Sequence, residues 1–323
     1  MTALRPRHGT LTLVTLTLTL TACTSGGPEK DSPGSAGTGP GTHTVKTAMG
    51  DVEVKDHPRR VVVLDTAELD SAITLGVTPV GATRAGAENG FLSYLPQDRT
   101  KGITEVGEIA NPGLEKIAAL KPDLILSNKV RDGGRYEQLS AIAPTVLTET
   151  TGYPWKQNFL VHADALGRKK QARAAVRTYE KRAAAVTEAL GGKERAAGVD
   201  VNVVRFVEGA DIRIYGRKNY IGTILADVGI GRPAITDKAK DGFSYDVSPE
   251  QIDKADADVI FTSTYGSPGK AKVTETTTSG LWRKLKAVRD GKVFQVDDEL
   301  WIQGIGYTAA GRILGELKSD LAK

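Results

Sequence analysis

Residues 167–192 read GRKKQARAAVRTYEKRAAAVTEALGG, and the fold turns on how this stretch is taken. Ala172, Ala175, Val176, Tyr179, Ala183, Val186 and Leu190 recur three or four residues apart, so they line one side of a helix whose other side carries Lys, Arg and Glu. Gly191 and Gly192 stand where a left-handed C-terminal cap is expected, and Gly167 stands just before the start. At 1.5 Å per residue such a helix is about 35 Å long, roughly the width of a small domain. It either braces two domains or packs inside one, and the flanking sequence decides between them.

Upstream, Thr44–Thr47 and Asp51–Val54 alternate around Met49-Gly50, which predicts a hairpin. Val61-Val62-Val63-Leu64 is a continuous apolar run, as expected of a strand covered on both faces of a parallel sheet. A helical segment from Glu68 to Leu75 stops at Gly76, and extended chain resumes at Pro79–Ala82. Leu114–Leu120 and Tyr136–Ile142 read as helices, each followed by an apolar strand at Leu124–Leu126 and Thr145–Leu147. Downstream the grammar repeats. Val199–Val204, Asp211–Tyr215, Val259–Thr262 and Lys292–Val296 are strand-like; Tyr220–Val228, a segment opened by Ser248-Pro249, and Gly306–Leu321 are helix-like. Alternation of this kind means α/β with mainly parallel sheets, so the expected architecture is two Rossmann-like lobes joined by one long helix. The expected boundaries are 44–166 for the first lobe, 167–192 for the bridging helix and 193–323 for the second lobe.

The chain begins with Arg5, Arg7 and His8 followed by an uncharged Leu/Thr run that ends at Leu20-Thr21-Ala22-Cys23. That is the pattern of an export signal over residues 1–22, too short for a permanent membrane span. Cys23 is the only cysteine, so no disulfide can form within the chain. Its setting resembles the lipobox of bacterial lipoproteins, which implies that Cys23 is lipidated and anchors the protein outside the cytoplasmic membrane. Residues 23–43, rich in Gly, Pro, Ser and Thr, read as a flexible tether. Loss of the first 22 residues removes Arg5 and Arg7 and lowers the formal charge from +4 to +2. No basic stretch interleaved with aromatics suggests a nucleic-acid surface. No phosphate-binding Gly-x-x-x-x-Gly-Lys-Ser/Thr loop and no Gly-x-Ser-x-Gly elbow is present, which argues against an enzyme.

Over residues 45–321 the chain resembles the iron-siderophore substrate-binding proteins of ABC importers. The resemblance is carried by Val106-Gly107-Glu108, by Asn111 through Leu126, by Asn128–Arg131 and by Gln138–Thr145. After the long helix it continues through Val204-Arg205-Phe206, Arg213-Ile214-Tyr215, Leu225–Gly229 with Arg232-Pro233, and Trp301. It implies a class III binding protein that works as a monomer, grips a ferric siderophore between two lobes and docks on a permease dimer. The family's docking acidic residues match Glu115 and Glu250, one near each helix start, where the helix dipole also favours a carboxylate.

A ferric siderophore fills iron's coordination shell with its own oxygens, so no cofactor and no protein metal ligand is expected. His43, His57 and His162 are scattered without metal-ligand spacing. The pocket must instead supply hydrogen-bond donors and aromatic faces, and arginine's planar, permanently charged fork suits the first task. Arg84, Arg131 and Tyr265 follow strand ends, where ligands of α/β sheets bind. The resemblance adds Arg205, Arg213, Tyr215 and Trp301 as ligand contacts, and Trp155 is expected at the rim. A near-neutral mature charge with aromatics among the arginines favours a ferric hydroxamate of the ferrioxamine kind over a tris-catecholate. Cobalamin or haem on the same fold is the alternative cargo.

Overall fold

The apolar run at Val61–Leu64 is buried on both faces, as its lack of alternation implies. Val61 and Val63 enter one hydrophobic cluster, while Val62 and Leu64 enter another. The computed structural model describes residues 41–86 and 90–322. The expected signal peptide and Cys23 lie outside the described residues, as does the tether up to residue 40. Thr42 and His43, assigned to the tether from sequence, already belong to β1 (Thr42–Thr47), which pairs with β2 (Gly50–Lys55) in the expected hairpin.

β3 (Val61–Val63), β4 (Gly81–Arg84), β5 (Thr104–Glu108), β6 (Asn111–Pro112), β7 (Leu124–Asn128) and β8 (Thr145–Thr148) form a sheet in the order β6-β5-β4-β3-β7-β8. Only the β5–β6 pairing is antiparallel. The chain leaves β3 first toward β4 and later toward β7, which creates a switch point at the carboxyl end of β3. β9 (Val201–Val207), β10 (Ile212–Tyr215), β11 (Ser244–Val247), β12 (Val259–Tyr265) and β13 (Val293–Gln295) form the second sheet, ordered β11-β10-β9-β12-β13. β9, β12 and β13 are parallel, but β9–β10 and β10–β11 are antiparallel. The second half therefore echoes the first only in part. Residues 208–211 are too few for a crossover, so β9 and β10 must turn back as a hairpin.

Among the helices packed with these sheets are α1 (Thr66–Thr74), α2 (Leu114–Ala119), α3 (Trp155–Ala165), α4 (Lys169–Ala189), α5 (Tyr220–Val228) and α6 (Tyr307–Leu321). α4 is the long helix, 21 residues and about 31 Å at the standard rise. Ala172, Tyr179, Ala183, Val186 and Thr187 are its buried stripe, packed against α3, α5 and α6. Gly167 has φ +64° and passes so close to the Asp56 carbonyl that no side chain fits. Gly191 and Gly192, with φ +92° and +90°, close the other end through bonds to Glu188 and Thr187 carbonyls. One cluster runs from Val61 and Leu126 of the first sheet through Tyr179 to Val203 and Phe261 of the second.

One expected detail differs. The helix opened by Ser248-Pro249 is a 3-10 turn (Pro249–Ala255) kinked at Gln251, and Ser248 makes no capping bond to the backbone. The N-terminus of α6 is capped from α1, not locally: Asp70 accepts the Thr308 and Ala309 N–H groups, both at 3.0 Å.

Candidate functional site

A cavity of about 420 Å³ opens where the carboxyl ends of the two sheets face each other, within the usual range for small-molecule sites. From the first sheet it receives Asp65 after β3, Gly86 after β4 and Arg131 after β7. The second contributes Arg205 on β9, Arg213 and Tyr215 on β10, and Tyr265 at the end of β12. Six residues expected from sequence are thus brought together: Arg131, Arg205, Arg213, Tyr215, Tyr265 and Trp301.

Arg205 is held hardest. Its Nε and Nη2 donate to the two carboxylate oxygens of Asp298 at 2.7 and 2.5 Å, and its guanidinium stacks 4.7 Å from the Tyr265 ring centre. Asp298 also accepts from Ser263 Oγ at 2.9 Å and from Gln303 Nε2 at 3.0 Å. Burial works to lower the Arg205 pKa, but the Asp298 bonds outweigh it and the net shift is upward. Tyr215 is raised, by burial first, against the pull of the neighbouring Arg205. Arg131 donates from Nε to Asp65 at 3.0 Å and keeps its outer edge toward the cavity. Asp65 in turn caps α1 by accepting the Thr66 N–H at 2.7 Å and also takes a bond from Asn128 Nδ2 at 3.1 Å. Arg213 approaches only Asp246, at 3.9 Å, beyond hydrogen-bond reach.

Behind Asp65 lies Glu68, buried with neither carboxyl oxygen hydrogen-bonded. Burial, then the Asp65 charge, raises its pKa to about 8, so it is neutral at physiological pH. His162 lies 3.6 Å away and burial lowers its pKa to about 3.

Two sequence expectations need correction. Arg84 does not line the cavity: its Nε and Nη2 bind Glu105 and Glu108 at 2.9 and 2.6 Å, because parallel pairing of β4 with β5 sets those carboxylates beside it. Trp155 is a core residue, 2% exposed, with edge contacts to Tyr179 and Tyr220 and its indole N–H on Thr223 at 2.8 Å. As the first residue of α3 it is drawn into the helix interface instead of the rim. Trp301 lines the cavity and is buried at its floor, packed 4.6 Å from Phe261 and donating to Glu316 at 2.5 Å. It sits in a π-helical turn (Glu299–Gln303), an irregularity often found at functional sites.

Sequence reasoning missed Asp65, Asp298 and Phe243. The Asp65-x-x-Glu68 spacing was a readable capping signal, whereas Asp298 and Phe243 lie in irregular segments with no periodicity to mark them. Phe243 is 46% exposed and lies edge-on to Tyr215. Glu115 and Glu250 are both exposed in the first turns of their helices, and a bond from Ser248 lowers the Glu250 pKa. Among the described residues no group of three or more His, Cys, Asp or Glu is placed to hold a metal ion. No helix there is long and apolar enough to cross a membrane. A second cavity, about 490 Å³, runs along α4, where Lys156 and Tyr179 both bind Asp227.

The family model described as periplasmic binding protein matches residues 61–300. The probable siderophore-binding lipoprotein YfiY of Bacillus subtilis is 35% identical over 316 residues, 95% of each chain. The iron(3+)-hydroxamate-binding protein FhuD of the same organism is 30% identical, with 86% of each chain covered. The crystal structure of Staphylococcus aureus SirA complexed with staphyloferrin B matches with a TM-score of 0.78 and 33% identity, covering 87% of this chain and 98% of that one.

Proposed function

The chain belongs to the periplasmic binding protein family, a family of binding proteins and not of enzymes, and from that premise we propose that it is an extracytoplasmic receptor for a ferric siderophore. Its two-lobed α/β fold with parallel-rich sheets is that of siderophore-binding relatives. The observation that carries the reading is the convergence of Arg131, Arg205, Arg213, Tyr215 and Tyr265 from both sheets on one cavity. Guanidinium edges donate to the chelate's oxygens while Tyr265 and Phe243 cover its carbon skeleton; iron arrives already coordinated as cargo, and no cofactor takes part.

The chelate is a hydroxamate. Asp65 and Asp298 already offset two of the three arginines, which leaves too little positive charge for a trianionic tris-catecholate. Haem lacks an axial ligand among the groups on the cavity apart from its tyrosines; cobalamin is the competing cargo. Lobes 44–166 and 193–323 move about the helix at 167–192, and the loaded monomer presents Glu115 and Glu250 to a permease dimer. Lipidated Cys23 tethers it to the cell membrane.

Isothermal titration of the mature chain, with Cys23→Ser, against ferrioxamine, a ferric tris-catecholate, cobalamin and haemin tests this. Sub-micromolar affinity for ferrioxamine alone is expected. Binding of cobalamin or haemin with no binding of any ferric chelate would overturn it.

A further inference from the structure

Among the cleft arginines, Arg213 differs in having no hydrogen bond among the described residues. Arg205 has committed Nε and Nη2 to Asp298, and Arg131 has committed Nε to Asp65. The β-sheet register sets Arg213 directly between Arg205 on β9 and Asp246 on β11. Among the described residues Asp246 is the only carboxylate within ion-pair range, yet it stays 3.9 Å away and its Oδ1 is occupied by the Ser244 hydroxyl at 2.8 Å. The Arg213 side chain is one-third exposed, and a half-solvated contact at that distance contributes little. All five N–H donors therefore remain available on the cavity wall.

The same rim carries exposed Lys238 and Lys240 beside Phe243, and neither forms an ion pair among the described residues. Asp241 and Asp246 face the same rim. In the deeper cleft Asp65 and Asp298 are hydrogen-bonded to Arg131 and Arg205. Arg213 is left as the cleft guanidinium whose planar fork is uncommitted.

Iron in a trihydroxamate is held by three singly charged donor groups, so the coordinated core is neutral. A neutral core gives an uncommitted guanidinium nothing to neutralise. A carboxylate elsewhere on the chelate does, and its two oxygens match the guanidinium edge in a two-pronged bond. Resting on the ferric-hydroxamate reading above, we propose that the natural cargo is a monoanionic chelate bearing a carboxylate outside iron's shell, and that Arg213 receives it.

The test compares two iron complexes that differ in that group alone: ferric N-acetyl-desferrioxamine B, which is neutral, and ferric N-succinyl-desferrioxamine B, which carries one free carboxylate. Kd values are measured by titration calorimetry for the wild-type chain, Arg213→Gln and Arg213→Lys. In the wild type the succinylated complex should bind on the order of tenfold or more tightly, as a charge-assisted pair implies. Arg213→Gln should bring that ratio to about one, and Arg213→Lys, which keeps charge without the fork, should retain part of it. Equal affinities in the wild type, or a preference that survives in Arg213→Gln, would overturn the carboxylate inference while leaving the siderophore reading intact. Failure of both complexes to bind would instead overturn the hydroxamate reading and this inference with it.

Discussion

Replacing Asp298 by Asn removes the charge that holds Arg205 while changing the side chain's shape very little. The two partners are 11% and 7% exposed, and the carboxylate accepts two bonds from Arg205, one from Ser263 and one from Gln303. Breaking a buried pair by removing one partner costs about 3–5 kcal/mol, chiefly because the other charge is left without compensation. Asn keeps one accepting oxygen but turns an N–H₂ toward the guanidinium, so we expect about 3 kcal/mol. At roughly 2–4 °C per kcal/mol for a chain of this size, the melting temperature should fall by about 6–12 °C in calorimetry at pH 7. Affinity for ferrioxamine should drop at least tenfold, because Arg205 loses the anchor that aims it. The combined Arg205→Met, Asp298→Leu variant, which removes both charges, should melt above Asp298→Asn alone. A fall of less than about 2 °C in Asp298→Asn would refute the claim that this buried pair holds Arg205 in place.

Glu68→Gln isolates the carboxyl that burial holds near pKa 8. Because the folded state keeps the proton that the unfolded state releases above about pH 4.5, wild-type stability should decline relative to Glu68→Gln as pH rises from about 4.5 to 8; parallel curves across that window would reject the shift. Trp155→Phe should lose the bond to Thr223 and about 1–2 kcal/mol of stability without altering ferrioxamine Kd, and a weakened Kd would return Trp155 to the site. Reversing both docking charges, Glu115→Lys with Glu250→Lys, should abolish radiolabelled-iron uptake in cells carrying only this receptor while leaving chelate affinity unchanged; normal uptake would reject the docking role.

The long helix, the buried strands and the strand-end Arg131 could be read from sequence because each has a local signature. Ala172, Tyr179, Ala183 and Val186 repeat at the helical period, and Val61–Leu64 lacks alternation. The mistakes share a cause. Arg84 and Trp155 were placed by chain position, but their roles depend on partners elsewhere in the chain: Glu105 and Glu108, and Thr223 on α5. Asp298 was invisible for the same reason, since its importance lies in a contact with a residue 93 positions earlier. The antiparallel half of the second sheet was the exception, because the four residues between β9 and β10 already allow only a hairpin.

The most direct measurement is the position of iron. Crystals grown with ferrioxamine, recorded on either side of the iron absorption edge, should show one anomalous peak in the cavity bounded by Arg131, Arg205 and Tyr265. A peak instead in the groove beside Lys156 and Asp227, or binding in solution with no iron between the two sheets, would contradict the account.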